Sequence, residues 1–124
     1  MAKYVDGFVI AMPSKNLDLY KKMAKLGAKT WMKHGALDYK ECVIEDAAPD
    51  MASMGMTTFS KLAKAKPDET VLFAYIVFKS RSHRDQVNKK VMKEFEANDL
   101  MKEMPMPFKM HRMSYGGFDV LVEG

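Results

Sequence analysis

Three groups of residues in this chain have types and spacings that could do chemistry. In "KTWMKHGALDYKECV", residues 29–43, Trp31 and His34 stand one helical turn apart, just ahead of Asp38, Tyr39 and Glu41. An imidazole titrates near neutral pH and a carboxylate can fix its tautomer, so His34 suits proton transfer beside Asp38 or Glu41. Trp31 and Tyr39 would then be flat walls of a ligand pocket. The competing reading gives Trp31 to the core and leaves His34 to stabilise a helix C-terminus through the dipole. In "KSRSHRD", residues 79–85, Arg81, His83 and Arg84 fall in the first turn of a helix, where free N–H groups and cations could hold a phosphate or carboxylate. Against this, cations oppose the dipole at that end, and the competing reading is a solvated helix start. Asp6 interrupts the side of a strand formed by Tyr4, Phe8 and Ile10. Buried there, it needs a partner, and Arg112 on the last strand is the candidate. The pair reads equally as a catalytic acid with a ligand-binding arginine in an interior pocket or as a structural ion pair.

Other chemistries find less support. His34, His83, His111 and Cys42 have no metal-ligand spacing, so neither a metal nor a cofactor is expected. The 13 methionines suit flexible core filling better than copper. Gly116–Gly117 lacks the lysine and the following helix of a phosphate loop. The net charge is +4, but acids such as Asp85, Glu94 and Glu96 are mixed among the bases, so nucleic acid is not expected as the main ligand. No charged-then-apolar leader opens the chain, and its longest apolar run, Val71–Phe78, is too short for a bilayer. A lone cysteine fits the reducing cytoplasm.

The elements that must position these residues follow from periodicity. At 124 residues the chain is expected to form a single domain, 1–124. Residues 3–12 read as a strand. Ser14 is a plausible N-cap, and Leu17, Tyr20, Ala24, Gly27, Ala28 and Trp31 recur at helical steps up to Gly35, a fitting C′ residue. "ALDYKECVIE" is the next strand, and "TTFSKLAKA" a short helix capped by Thr57 or Thr58. Residues 70–79 form an almost wholly apolar strand, and residues 80–97 a second helix with Ser82 and Asp85 at capping-box spacing. A Met/Pro-rich loop, 99–109, leads to a last strand, 110–122, broken or bulged at Gly116–Gly117. The order β-α-β-β-α-β is the ferredoxin-like α+β arrangement: a four-stranded antiparallel sheet with both helices on one face. A strand apolar at every position needs cover on both faces. The second cover is expected from another subunit, giving a homodimer through the open sheet face.

The stretches "YVDGFV", "KNLDLYKKMA", "HGALDYKECV" and "YGGF", with the segments around 67–92, resemble the YbaA-like family of uncharacterised bacterial proteins, within the dimeric α/β-barrel superfamily. The resemblance implies two sheets meeting face to face in a homodimer and brings no established activity. More distant superfamily members include cofactor-independent monooxygenases, haem-degrading enzymes and isomerases, an associational guide only. Three functional expectations stand side by side. The first is a small-molecule-binding dimer with its pocket between the first helix and the sheet, its enzymatic form a cofactor-independent monooxygenase or isomerase acting on a small aromatic or conjugated acid. The others are an RNA-associated accessory protein and a purely structural dimer. The Trp31 indole is expected to be largely buried between the first helix and the sheet, with His34 beside it and partly accessible.

Overall fold

A computed structural model describes residues 2–124. Its strands are β1 (Tyr4–Pro13), β2 (Asp38–Val43), β3 (Glu69–Phe78) and β4 (Met113–Asp119). Its α-helices are α1 (Leu17–Lys33), α2 (Phe59–Leu62), α3 (Arg81–Glu96) and α4 (Asp99–Glu103). The strands form one antiparallel sheet in the order β2-β3-β1-β4. Each βαβ crossover therefore skips over a neighbour, as the ferredoxin-like arrangement requires. Among the described residues, no helix is long and apolar enough to cross a membrane.

The two central strands pair over their full length, from Tyr4 opposite Phe78 to Pro13 opposite Glu69. Strand alternation then sorts the side chains between faces. Ile10, Met12, Leu72, Ile76 and Phe78 point to the helices and are buried with Tyr20 of α1 and Val87 and Val91 of α3. Phe73 points the other way and is 43% exposed, with Phe118 beside it at 59%. Part of this second face is met from within the chain, because α2 lays Phe59 edge-on against Phe73.

Several local expectations are corrected. Helix α1 begins at Leu17 after a 3-10 turn, Ser14–Asn16, and neither Ser14 nor Asn16 caps it through a side chain. Helix α3 is capped by Ser80, whose hydroxyl accepts from the His83 N–H at 3.1 Å, so Ser82 has no capping role. Thr58 does cap α2. The Met/Pro-rich segment holds α4, capped by Asn98, because an asparagine ahead of an acidic first residue starts a helix well. Gly35, at φ +113°, ends α1 in the left-handed region. Strand β4 is neither broken nor bulged: Gly117 sits in register opposite Asp6. A Cβ on Gly117 would come within 2.3 Å of the Tyr4 hydroxyl, so glycine keeps the strand continuous where that ring lies against it.

Candidate functional site

Beneath α1 the helix and the sheet do not close completely. A cavity of about 200 Å³ lies between them. Helix α1 contributes Tyr20, Ala24, Gly27 and Trp31 to its wall, and the sheet contributes Phe8, Tyr39, Glu41 and Ile76. Phe95 of α3, Met101 of α4 and Phe108 close the far side. The small residues at 24 and 27 leave room where larger ones would fill it. Trp31 rests on Tyr39 at 5.9 Å and edge-on against Phe95 at 5.6 Å, while its indole N–H donates to Asn88 Oδ1 at 2.9 Å. The ring is half-buried, less than the sequence led one to expect, because one side of it walls the cavity.

The polar groups of this apolar space converge on one carboxylate. Tyr20 donates to Glu41 Oε1 and Tyr39 donates to Glu41 Oε2, both at 2.6 Å. Burial first, and then the Glu41 carboxylate beside each, push both phenols well above their ordinary range, so they remain hydrogen-bond donors. Among the described residues, Glu41 makes no ion pair and no lysine, arginine or histidine lines the cavity. A neighbouring depression shares Tyr20, Ala24 and Glu41 and carries Lys21, an exposed residue that makes no ion pair with Glu41 among the described residues. Each carboxylate oxygen keeps lone pairs beyond the one its tyrosine uses, so Glu41 can accept a further donor.

The residues singled out in the sequence divide among four places. Trp31 and Tyr39 meet at the cavity. His34 does not reach it: the residue forms the C-cap of α1, and its Nε2 lies 3.0 Å from Glu94 Oε1 on α3, with Lys33 on the same oxygen at 2.8 Å. Asp6 is 1% exposed and its partner is Arg84, not Arg112. Arg84 donates to Asp6 Oδ1 at 2.8 Å, Tyr115 donates to the same oxygen at 2.9 Å, and the guanidinium lies 4.9 Å over the Tyr4 ring. Arg112 instead pairs with Glu69 and donates to the Lys64 carbonyl at 3.0 Å. The strand register explains the exchange, since Gly117 lies opposite Asp6, Met113 lies opposite Ile10, and Arg112 stands ahead of β4, past the end of its pairing with β1.

The start of α3 does not gather its cations. Arg84 turns inward to Asp6, and only Arg81 of the three is exposed. His83 Nδ1 accepts from the Lys79 N–H at 3.0 Å, which requires an unprotonated nitrogen, and burial followed by the charges of Lys79 and Lys90 lowers its pKa. No group of three metal-ligating side chains comes together among the described residues. The residue that sequence reasoning underused is Glu41. Its signal is present: a strand residue two positions from Tyr39 must share that tyrosine's face, and here the face points inward.

A family model described as "Protein of unknown function (DUF1428)" matches residues 3–110. The chain is similar to the uncharacterized protein YbaA of Escherichia coli strain K12, 38% identical over 123 residues, which span 98% of each protein. YbaA of Shigella flexneri matches to the same extent. Among solved structures, a dimeric ferredoxin-like protein from an uncultured marine organism aligns over 100% of both chains with a TM-score of 0.66. Its sequence identity is 11%, so that likeness is one of fold.

Proposed function

The chain belongs to the DUF1428 family, and from that premise we propose that it is a homodimeric small-molecule-binding protein whose ligand occupies the cavity between α1 and the sheet. One observation carries the reading: an apolar, largely aromatic cavity in which three polar groups, Tyr20, Glu41 and Tyr39, converge. A dry cavity of ~150 Å³ is enough to hold benzene, so about 200 Å³ suits a single ring with a short substituent. Trp31 and Tyr39 are the walls and Glu41 is the polar anchor. His34 and Asp6, each already engaged by a partner, line a different part of the molecule.

The second half of the proposal is the dimer, with the two open sheet faces stacked into an α/β barrel. Phe73, Phe118 and Phe59 lie exposed there, and the tail beyond β4 adds Leu121 at 95% and Val122 at 84% exposure. That tail is held beside β1 by the Val120 N–H on the Lys3 carbonyl and by Lys3 on Glu123. The adjoining exposed rings of Phe59, Phe73 and Phe118 are of the kind that marks an association surface. The structural neighbour, itself described as dimeric, is consistent with this. The single cysteine, Cys42, is exposed and free, which supports a reducing compartment such as the cytoplasm as part of the proposal.

Mass spectrometry of the purified protein under non-denaturing conditions tests both halves. A dimer carrying a retained small compound is the expected species, and Phe73→Asp should convert it to monomer. A bare monomer at micromolar concentration, with no compound released on denaturation, would contradict the proposal.

A further inference from the structure

The ligand's chemical class follows from what surrounds Glu41. Its carboxylate is partly buried, accepts from two neutral phenols and pairs with no cation among the described residues. Lys21, the nearest candidate on the adjoining depression, is exposed and forms no ion pair with it. A carboxylate partly withdrawn from water with no counter-charge beside it is left free to pair with a cationic group. Six aromatic rings line the same cavity: Phe8, Tyr20, Trp31, Tyr39, Phe95 and Phe108. The faces of such rings carry negative charge density and attract cations. An anionic ligand would meet the opposite: a fixed negative charge, negative ring faces and no lysine, arginine or histidine in the wall.

We propose that the cavity takes a small organic cation, a primary amine carried on a single ring, with its ammonium group hydrogen-bonded to Glu41 and its ring against Trp31 and Tyr39. This deepens the ligand-binding reading above and rests on it. It also separates this chain's cavity from a site for aromatic acids, which would need a cation where Glu41 stands. The ammonium has three donors, and each Glu41 oxygen retains capacity to accept after its tyrosine is satisfied.

Calorimetric titration of the full-length protein at neutral pH with benzylamine, benzyl alcohol and benzoate decides the point. The three share a ring and differ in the charge of the polar atom. Benzylamine should bind at least about tenfold more tightly than benzyl alcohol, as expected when one hydrogen bond becomes charge-assisted, and benzoate should not bind. Glu41→Gln should abolish the preference for benzylamine over benzyl alcohol. Equal affinity for benzylamine and benzyl alcohol, or a preference for benzoate, would overturn the amine assignment and leave the binding cavity standing. Binding of none of the three would overturn both. The ranking on the wild-type protein is decisive even if the glutamine variant folds poorly.

Discussion

Tyr39 and Glu41 stand two residues apart on β2, so their side chains share its inward face, and the tyrosine hydroxyl donates to Glu41 Oε2 at 2.6 Å. Tyr20 reaches the other oxygen from α1, tying that helix to the sheet's edge strand. Tyr39→Phe removes one charge-assisted hydrogen bond and should destabilise the protein by about 1.5 kcal/mol. Tyr20→Phe should cost a similar amount, and the double variant should depart from additivity because both bonds end on one carboxylate. Urea unfolding of the three variants checks this; strictly additive losses would mean that the two bonds are energetically independent.

Asp6 and Arg84 form the most deeply buried ion pair among the described residues. Removing one partner leaves a charge with reduced compensation in a low-dielectric setting. Asp6→Asn should therefore cost roughly 3 kcal/mol, softened from the upper range because Asp85 also holds Arg84. Its role is packing and orientation, so amine binding by the folded variant should match wild type. A loss below about 1 kcal/mol in denaturant unfolding would show that Tyr115 and solvent compensate.

These two clusters also show what the sequence makes legible. Element order, both long helices and the two-faced apolar strand β3 follow from periodicity alone, because burial dictates where apolar side chains recur. Trp31 and Tyr39 were readable as cavity walls for the same reason. The wrong partner for Asp6 arose from register: Arg112 and Arg84 are equally available until strand pairing sets Gly117, not Arg112, opposite Asp6. Glu41 reads from the sequence only as an accessory to His34: its spacing from Tyr39 is legible, but its second partner, Tyr20, lies 21 positions away on the preceding helix. Helix ends moved by a few residues where a 3-10 turn or a different serine supplied the cap, a local competition that spacing alone does not resolve.

His34 is expected to act on stability rather than on ligand. It sits on Glu94 together with Lys33, outside the cavity wall. His34→Ala should lower stability by no more than about 1 kcal/mol, the scale of a helix-dipole contact, and leave benzylamine affinity unchanged. A severalfold loss of affinity in calorimetric titration would return His34 to the site.

His83 gives the protein a pH dependence of defined sign. Its folded pKa lies below the ordinary 6.5, through burial first and then the charges of Lys79 and Lys90, and its Nδ1 must stay unprotonated to accept from Lys79 N–H. The unfolded state therefore binds more protons near this pH, and stability falls as pH drops below about 6.5 until the folded pKa is passed. Above that value the contribution is complete. Melting temperatures measured between pH 5 and pH 8, ~3 units spanning the histidine range, should show this loss, and His83→Gln should flatten it. A wild-type profile identical to that of His83→Gln would contradict the assignment.

The chain has one tryptophan, and it walls the cavity, so Trp31 fluorescence reports occupancy of that space directly. Titrating benzylamine into the full-length protein should produce a saturable change in Trp31 emission. Ala24→Phe, which fills the cavity from α1, should remove that change while the protein stays folded by circular dichroism. A saturable change that persists unaltered in Ala24→Phe, or no change in wild type with benzylamine, benzyl alcohol or benzoate at millimolar concentration, would contradict a ligand site beneath α1.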